Sequence, residues 1–202
     1  MFAQVIQART SDEDALRARL EEWDRNLKPD AEGFLGSTAG VADDGEVILI
    51  ARFTSQEAAR RNSDRAEQGQ WWAETEKLLE GNARFYDCTE VEVTWGGGSD
   101  DAGFVQVIQG RLRDEDHKVQ WRQAEAGAEE WIHENRPDII GGIRAWQDTN
   151  FSDFVYFTSE EEAREGEKKQ PPAGSGDSAE DWMSQVNDLK FIDLRRPFFS
   201  SP

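Results

Sequence analysis

The 202-residue chain contains few of the residues that mark disulfide-bonded, metal-dependent or nucleic-acid-binding proteins. Its one cysteine, Cys88, excludes an intramolecular disulfide, and having only two histidines, His117 and His133, excludes a histidine-rich metal site. Basic residues are also scarce, since 23 Lys and Arg stand against 42 Asp and Glu, a formal charge of -19. Such a charge repels phosphate backbones and anionic membranes. We therefore expect neither nucleic acid nor a membrane among the partners.

Long hydrophobic runs are missing as well. No segment approaches the roughly 18 apolar residues of a spanning helix, and the N-terminal sequence lacks the charged and apolar regions of a secretory signal. Composition is otherwise that of a globular chain with a sizeable core, at 37% hydrophobic and 10% aromatic residues. We expect a soluble, cytoplasmic protein.

The most informative feature is an internal repeat. Residues 2–9, FAQVIQAR, return as residues 104–111, FVQVIQGR, with six of eight positions identical. Two further motifs return in the same order, Glu-Glu-Trp followed by Pro-Asp, and Phe-Thr-Ser. The segment between the copies is rich in glycine and aspartate, which is typical of a connector. We predict a first unit at 1–97, a linker at 98–102 and a second unit at 103–202.

Both copies carry the pattern βαββαβ, because period-two alternation predicts strands and apolar spacings of three and four predict helices. The first copy has predicted strands at 2–9, 34–41, 46–53 and 84–94, and predicted helices at 12–28 and 54–79, with a break at Gly69. The second has predicted strands at 103–111, 139–147, 153–157 and from Leu189, and predicted helices at 114–135, from Thr158 and around Trp182. Adjacent prolines and small residues near 168–178 predict a flexible insertion.

A βαββαβ unit forms a four-stranded antiparallel sheet with both helices on one face, which leaves the other face uncovered. In a tandem chain two such sheets can cover each other. We therefore predict an α+β protein of two ferredoxin-like βαββαβ units whose antiparallel sheets pack into a pseudo-twofold dimeric α/β barrel within one chain. This fusion predicts a pseudo-dimeric monomer, with a higher homo-oligomer left open.

Three features carry a family resemblance: the length and order of each unit, the Glu-Gly-Phe-Leu-Gly sequence at 32–36, and a Phe-Thr-Ser start to the second helix with a later aromatic pair. On these the chain resembles the antibiotic biosynthesis monooxygenase family of the dimeric α/β barrel superfamily, in a fused two-copy form. Members include cofactor-independent oxygenases of aromatic polyketides and haem-degrading enzymes. The haem reaction needs a histidine late in the second helix, where this chain has Trp71 and Trp72. The resemblance thus implies no metal and no cofactor.

The resemblance also implies a pocket between the sheet and the second helix. By position, Gln7 and Asn62 are the candidate catalytic hydrogen-bond donors. The candidate substrate-binding residues are Trp71, Trp72, Gln109, Trp146 and Trp182. Neighbouring helical residues point about 100° apart, so we expect only one of Trp71 and Trp72 to face the pocket. The alternatives are a glutamine at the sheet rim, a solvated asparagine and tryptophans that fill the core. Gly166 stands at the position of Asn62 in the second copy, which confines chemistry through Asn62 to the first.

We expect a monooxygenase-like protein that acts on a small aromatic molecule, polyketide or quinol-like, with Gln7 and Asn62 stabilising the substrate enolate and Trp72 stacking on its ring. The alternative is a non-catalytic, small-ligand-binding or stress-associated protein of the same fold. A polar-lined cavity beside Asn62 favours the enzyme, whereas an interior filled by Trp and Phe favours the alternative.

Overall fold

A computed structural model describes residues 1–169 and 185–202. The predicted helix around Trp182 and most of the predicted insertion near 168–178 lie outside the described residues. The elements of the first copy are β1 (Phe2–Arg9), α1 (Glu13–Asn26), β2 (Phe34–Val41), β3 (Glu46–Phe53), α2 (Gln56–Ser63), α3 (Ala66–Glu76), β4 (Arg84–Cys88) and β5 (Glu90–Thr94). Those that follow are β6 (Phe104–Leu112), α4 (Glu115–Asn135), β7 (Ile139–Gln147), β8 (Asn150–Phe157), α5 (Glu160–Gly166), β9 (Val186–Leu194) and β10 (Phe198–Ser200).

The chain forms two compact units, one of residues 1–91 with 194–202 and the other of residues 92–193. Each contains a five-stranded antiparallel sheet, in the orders β10-β2-β3-β1-β4 and β5-β7-β8-β6-β9. Because repeat-related strands occupy the same positions, the two sheets have one topology. The fold is α+β, as predicted. The predicted linker at 98–102 lies within the second unit, a few residues after the division.

The fifth strand of each sheet differs from the predicted pattern. The run at 84–94 is two strands, of which β4 pairs with β1 and β5 joins the sheet of β7. Near the end of the chain the Phe198–Phe199 pair forms β10, which pairs with β2. Alternation alone could not indicate either result, because it continues through residues 84–94 and says nothing about which neighbour a strand pairs with.

The second helix of the first copy breaks at Asp64 and Arg65 rather than at Gly69. Arg65 has an extended backbone, with φ -68° and ψ 135°, and α3 starts immediately after it. Gly69 lies inside α3, where a Cβ would have no neighbour within 4 Å. The break therefore lies at Arg65, four residues before the glycine.

One face of the first sheet packs against helices. Phe2, Phe34 and Phe53 form a buried cluster with Ala58 and Ala59 of α2, and Trp23 of α1 packs on it. The small alanine side chains let α2 approach the sheet closely. Alternation along β1 then turns Gln4 and Ile6 to the same helix-covered face as Phe2, and Ala3, Val5 and Gln7 to the opposite face. None of the helices in the described ranges is both long and apolar enough to span a membrane.

Candidate functional site

A cavity of about 290 Å³ lies in the first unit between the helix-covered face of the sheet and helices α1, α2 and α3. Its aromatic lining residues are Trp23, Phe34, Phe53, Trp71, Trp72, Phe85 and Phe198. Its polar lining residues are Gln4, Ser37, Asn62, Ser63 and Gln68. All the lining side chains from the described part of the chain are uncharged at every physiological pH. This lining suits a small, flat, neutral molecule that carries hydrogen-bonding oxygens.

Asn62 reaches this cavity from α2. The helix begins at Ser55, whose hydroxyl accepts a hydrogen bond from the Ala58 amide at 3.1 Å. Asn62 follows one turn after Ala58, and it is buried with 8% of its surface exposed. The capping serine thus sets the start of the helix, and with it the direction of Asn62.

The amide of Asn62 has a defined orientation. Arg65 Nη1 lies 3.0 Å from Asn62 Oδ1 and also donates to the carbonyl of Leu27. Because a guanidinium can only donate, the Asn62 atom that faces it must be the oxygen. Asn62 Nδ2 therefore points the other way, and within residues 1–169 and 185–202 its one partner is Gln68 Oε1 at a long 3.4 Å. This leaves N–H capacity for a ligand.

Gln68 is oriented by the same logic. The indole Nε1 of Trp23 donates to Gln68 Oε1 at 2.7 Å, and an indole N–H can only donate. The Gln68 amide nitrogen is therefore turned away from Trp23, and the described residues offer it no acceptor within bonding distance. Two neighbouring amides, those of Asn62 and Gln68, thus place N–H groups at the wall of an uncharged and largely aromatic cavity.

Both Trp71 and Trp72 line the cavity, so the expectation that only one would do so is wrong. Trp71 is nearly buried and donates to the Arg19 carbonyl at 2.9 Å. The Trp72 ring meets Phe85 of β4 edge-on at 5.2 Å, and the two tryptophan rings lie 6.3 Å apart. Since the rings extend well beyond their backbone, both reach one space although their Cβ directions diverge.

Gln7 does not line this cavity. It lies on the opposite sheet face with Ala3 and Val5, whereas Gln4 lines the cavity and donates to Asp87 of β4 at 2.8 Å. The sequence pattern had no means of separating the two, because β1 is apolar on both faces and alternation does not tell which face the helices cover. Gln4 is the amide of the first strand that sequence reasoning missed.

The candidates of the second copy lie elsewhere. Gln109 donates to Ser152 Oγ across the sheet at 2.7 Å, on the face opposite Gln106. Trp146 is 1% exposed and packs against Phe151 at 5.4 Å, as a core residue. Trp182 lies outside the described residues. At Gly166, the counterpart of Asn62, a Cβ would lie 2.3 Å from Arg136 Nε, so the Arg136 side chain occupies the space that Asn62 fills in the first copy.

The second unit has a buried ion pair at two positions whose counterparts in the first unit are apolar residues of a cavity wall. Arg144 Nε contacts Asp153 Oδ2 at 3.1 Å, and Arg144 also donates to Glu125 at 2.6 Å. In the first copy the corresponding cross-strand pair is Ala39 and Leu49. Burial raises the pKa of Asp153, with Arg144 opposing that shift, whereas the carboxylates around Arg144 outweigh burial and raise the pKa of its guanidinium.

The histidine and cysteine side chains lie in surroundings that do not indicate metal binding or thiol chemistry. Within residues 1–169 and 185–202 no three His, Cys, Asp or Glu side chains converge in a way that could hold a metal ion. His117 Nδ1 lies 2.6 Å from Asp114 at the start of α4. Cys88 is 3% exposed, and burial raises the pKa of its thiol to about 12.

Comparison with known proteins supports the fold. No protein-family model and no curated protein matches the sequence. A putative monooxygenase from Fusobacterium nucleatum has a TM-score of 0.75 at 12% identity, covering 99% of this chain and 94% of its own. One from Lactobacillus acidophilus NCFM has a TM-score of 0.73 at 13% identity, covering 99% and 95%. An anthrone oxidase-like protein has a TM-score of 0.62 at 10% identity, covering 100% and 94%.

The chain has the fold of the monooxygenase-like ferredoxin-fold proteins. This similarity confirms the predicted fold over the chain's whole length. Because every one of these identities is below 25%, the similarity concerns the fold and leaves the activity to be argued from the site.

Proposed function

We propose that the first unit is a cofactor-independent oxygenase that binds a small, neutral aromatic molecule in the 290 Å³ cavity. The observation that carries the proposal is the Asn62 amide, whose oxygen is held by Arg65 and whose nitrogen, at the wall of an uncharged cavity, makes only a long 3.4 Å contact to Gln68 among the described residues. Small-molecule sites occupy roughly 300–1,000 Å³. A cavity at the lower end of that range suits a molecule of two or three fused rings.

The chemistry follows from what the lining can do. An anthrone-like substrate loses a proton from its ring methylene to a solvent water, since the described lining residues offer no ionisable base. The negative charge of the resulting enolate concentrates on oxygen, where the N–H groups of Asn62 and Gln68 stabilise it. The aromatic walls hold the ring in position for dioxygen. These residues therefore contribute positioning and charge stabilisation.

The overall reaction balances without a further reductant. The enolate carbon is oxidised by dioxygen to a carbonyl, one oxygen atom enters the quinone, and the other leaves as water with the two hydrogens of the methylene. The electrons come from the substrate itself. The neighbour named an anthrone oxidase-like protein shares the fold, which supports anthrone as the first substrate to test.

The test is dioxygen consumption and quinone formation from anthrone by metal-stripped protein. Asn62→Asp keeps the side-chain shape but removes the N–H donors, and we expect turnover to fall about 100-fold because losing one oxyanion donor costs roughly that much. Asn26→Asp is the matched control, since Asn26 is exposed at the end of α1. Trp72→Ala should raise the KM for anthrone.

Equal turnover in the wild type and Asn62→Asp would remove Asn62 from the reaction. Saturable anthrone binding without turnover above the uncatalysed rate would instead favour the second candidate, a ligand-binding protein of the same fold. That candidate is favoured by the divergence of the second copy, where Gly166 replaces Asn62.

A further inference from the structure

A second, smaller cavity of about 40 Å³ adjoins the first in the same unit, and we refer to it as the side chamber. The two spaces share part of their walls. The residues lining both are Ile6, Leu20, Leu49, Trp71, Trp72 and Phe198. A molecule in the side chamber would therefore lie next to the aromatic wall of the larger cavity.

The wall of the side chamber is alkyl and aromatic. Ala8, Leu16, Ala39 and Val47 contribute to it from β1, α1, β2 and β3. At its edge, Thr75 is hydrogen-bonded within the protein, whereas Glu13 Oε1 and Arg17 Nε are buried and have no hydrogen-bond partner among the described residues. Thr75 Oγ1 donates to the Trp71 carbonyl at 2.9 Å.

The charged groups at the edge form ion pairs through part of their atoms. The Arg17 guanidinium lies 6.0 Å from the Phe198 ring centre and donates to the Arg196 carbonyl, and Arg196 Nη1 lies 3.3 Å from Glu13 Oε2. The other carboxylate oxygen, Glu13 Oε1, and Arg17 Nε are buried away from water.

The volume and the lining together select the occupant. A space of 40 Å³ exceeds the roughly 10–15 Å³ that one water requires, yet a bound water also needs two to four polar partners. The two unpartnered polar atoms at its edge, Glu13 Oε1 and Arg17 Nε, are buried and expose almost no surface to the side chamber, so they offer such a water no accessible partner. Apolar cavities of this kind stay dry and take up apolar guests, xenon among them. The chemistry of the wall therefore selects a small apolar molecule.

The second copy treats the same positions differently. Ala39 and Leu49 line the side chamber, whereas their counterparts Arg144 and Asp153 form the buried ion pair. Apolar space at this place is thus a feature of one copy and not an inevitable result of the fold. It occurs in the copy that also has Asn62.

We propose that the side chamber binds dioxygen next to the aromatic substrate. The inference rests on the proposed oxygenase function and adds where its second substrate is held. Dioxygen is small, apolar and uncharged, so it partitions from water into such a space. Binding makes and breaks no covalent bond. The dioxygen is consumed only when it passes the shared wall and contacts the enolate in the larger cavity.

The experiment fills the side chamber and measures gas binding and catalysis separately. Ala39→Val and Ala8→Ile each add methyl groups at its wall. Ala51→Val is the matched control, because Ala51 lines only the larger cavity. The first readout is the shift of methyl NMR signals under xenon pressure in the full-length protein, and the second is the KM for dioxygen at saturating anthrone.

In the wild type and Ala51→Val we expect saturable xenon shifts at the methyls of Ala8 and Leu16, and in the two filling variants their loss. The filling variants should raise the KM for dioxygen about fivefold through lost dispersion contacts, with the KM for anthrone little changed. Ala51→Val should raise the KM for anthrone and leave the KM for dioxygen little changed.

Absence of xenon shifts in wild-type protein, or an unchanged KM for dioxygen in both filling variants, would overturn the assignment. The xenon measurement does not require turnover. If anthrone is not oxidised, the oxygenase proposal fails, and xenon binding then decides by itself whether the side chamber is a gas site.

Discussion

At the residue scale, Asn62 gains a chemical role from its neighbours rather than from its identity. An asparagine amide can present either end to a cavity, and the guanidinium of Arg65 fixes which end faces inward. Trp23 does the same for Gln68. Two donor-only side chains, Arg65 behind the cavity wall and Trp23 in it, thus determine that the polar wall donates hydrogen bonds, which favours ligands with anionic or carbonyl oxygens.

Cys88 gives a prediction about pH. Burial raises the pKa of its thiol to about 12, whereas the pKa of the thiol in the unfolded chain is about 8.5. Between these two pH values the folded state keeps the thiol proton that the unfolded state releases. The contribution of Cys88 to stability is therefore complete below the lower pKa and is lost as the pH rises. We expect the free energy of unfolding to fall by about 1 kcal/mol per pH unit above about 8.5, beyond the slope seen in Cys88→Ala. Denaturant titrations at several pH values measure the difference, and identical slopes would contradict the raised pKa.

The residue scale also shows where sequence reasoning fails. The family resemblance indicates Asn62 and Trp72, and both line the cavity. The resemblance indicates Gln7 by position and not Gln4, whereas the face of β1 that meets the helices depends on packing, which the apolar pattern of the strand does not reveal. The role of Arg65 in orienting Asn62 could not be predicted, because it depends on a helix break that no local residue type indicates.

At the element scale, β10 is part of the candidate site although it lies at the far end of the sequence. Phe198 pairs with Ala39 in β2, lines the larger cavity and faces the Arg17 guanidinium. Ser200 donates to Asp24 and so attaches the strand to α1. The last residues of the chain thus close one side of a cavity built mainly from its first ninety.

Phe198→Ala tests this closure. We expect a loss of about 1–2 kcal/mol of stability, because the ring is half buried, and a fall of about tenfold in affinity for an aromatic ligand. Phe199→Ala is the control, since neighbouring strand residues face opposite sides. Thermal unfolding and fluorescence titration with anthraquinone report the two effects. Equal losses of affinity in both variants would show that β10 acts only through general stability.

At the scale of the whole molecule, the two copies have one topology and different interiors. The strand orders match position by position, and glycines at the same place in the second strand, Gly36 and Gly141, follow the same irregularity in pairing. Gly36 has φ +115°, which only glycine adopts readily. The repeat, the element order and the α+β class could therefore be predicted, since they depend on periodicity and turn chemistry. The pairing of β5 with β7 and of β10 with β2 could not be predicted, because it depends on partners distant in sequence.

The buried charges of the second copy give the prediction at this scale. Arg144→Met leaves Asp153 buried without its partner and should cost about 3 kcal/mol or more, whereas adding Asp153→Leu should recover at least half of the loss. Denaturant unfolding of the two single variants and the double variant measures the coupling. Additive effects would show that the pair is not coupled. Anthrone turnover per folded molecule should stay unchanged throughout, because the cavity belongs to the first unit.

The most direct test of the central claim is an NMR titration of the ¹⁵N-labelled protein with anthraquinone, following the side-chain amide signals. The account predicts saturable shifts of the Asn62 and Gln68 amides, identified by the signals lost in Asn62→Asp and Gln68→Glu, with Gln109 unmoved. Shifts confined to Gln109 and the Trp146 indole, or no saturable shift at Asn62, would contradict a ligand site in the first unit.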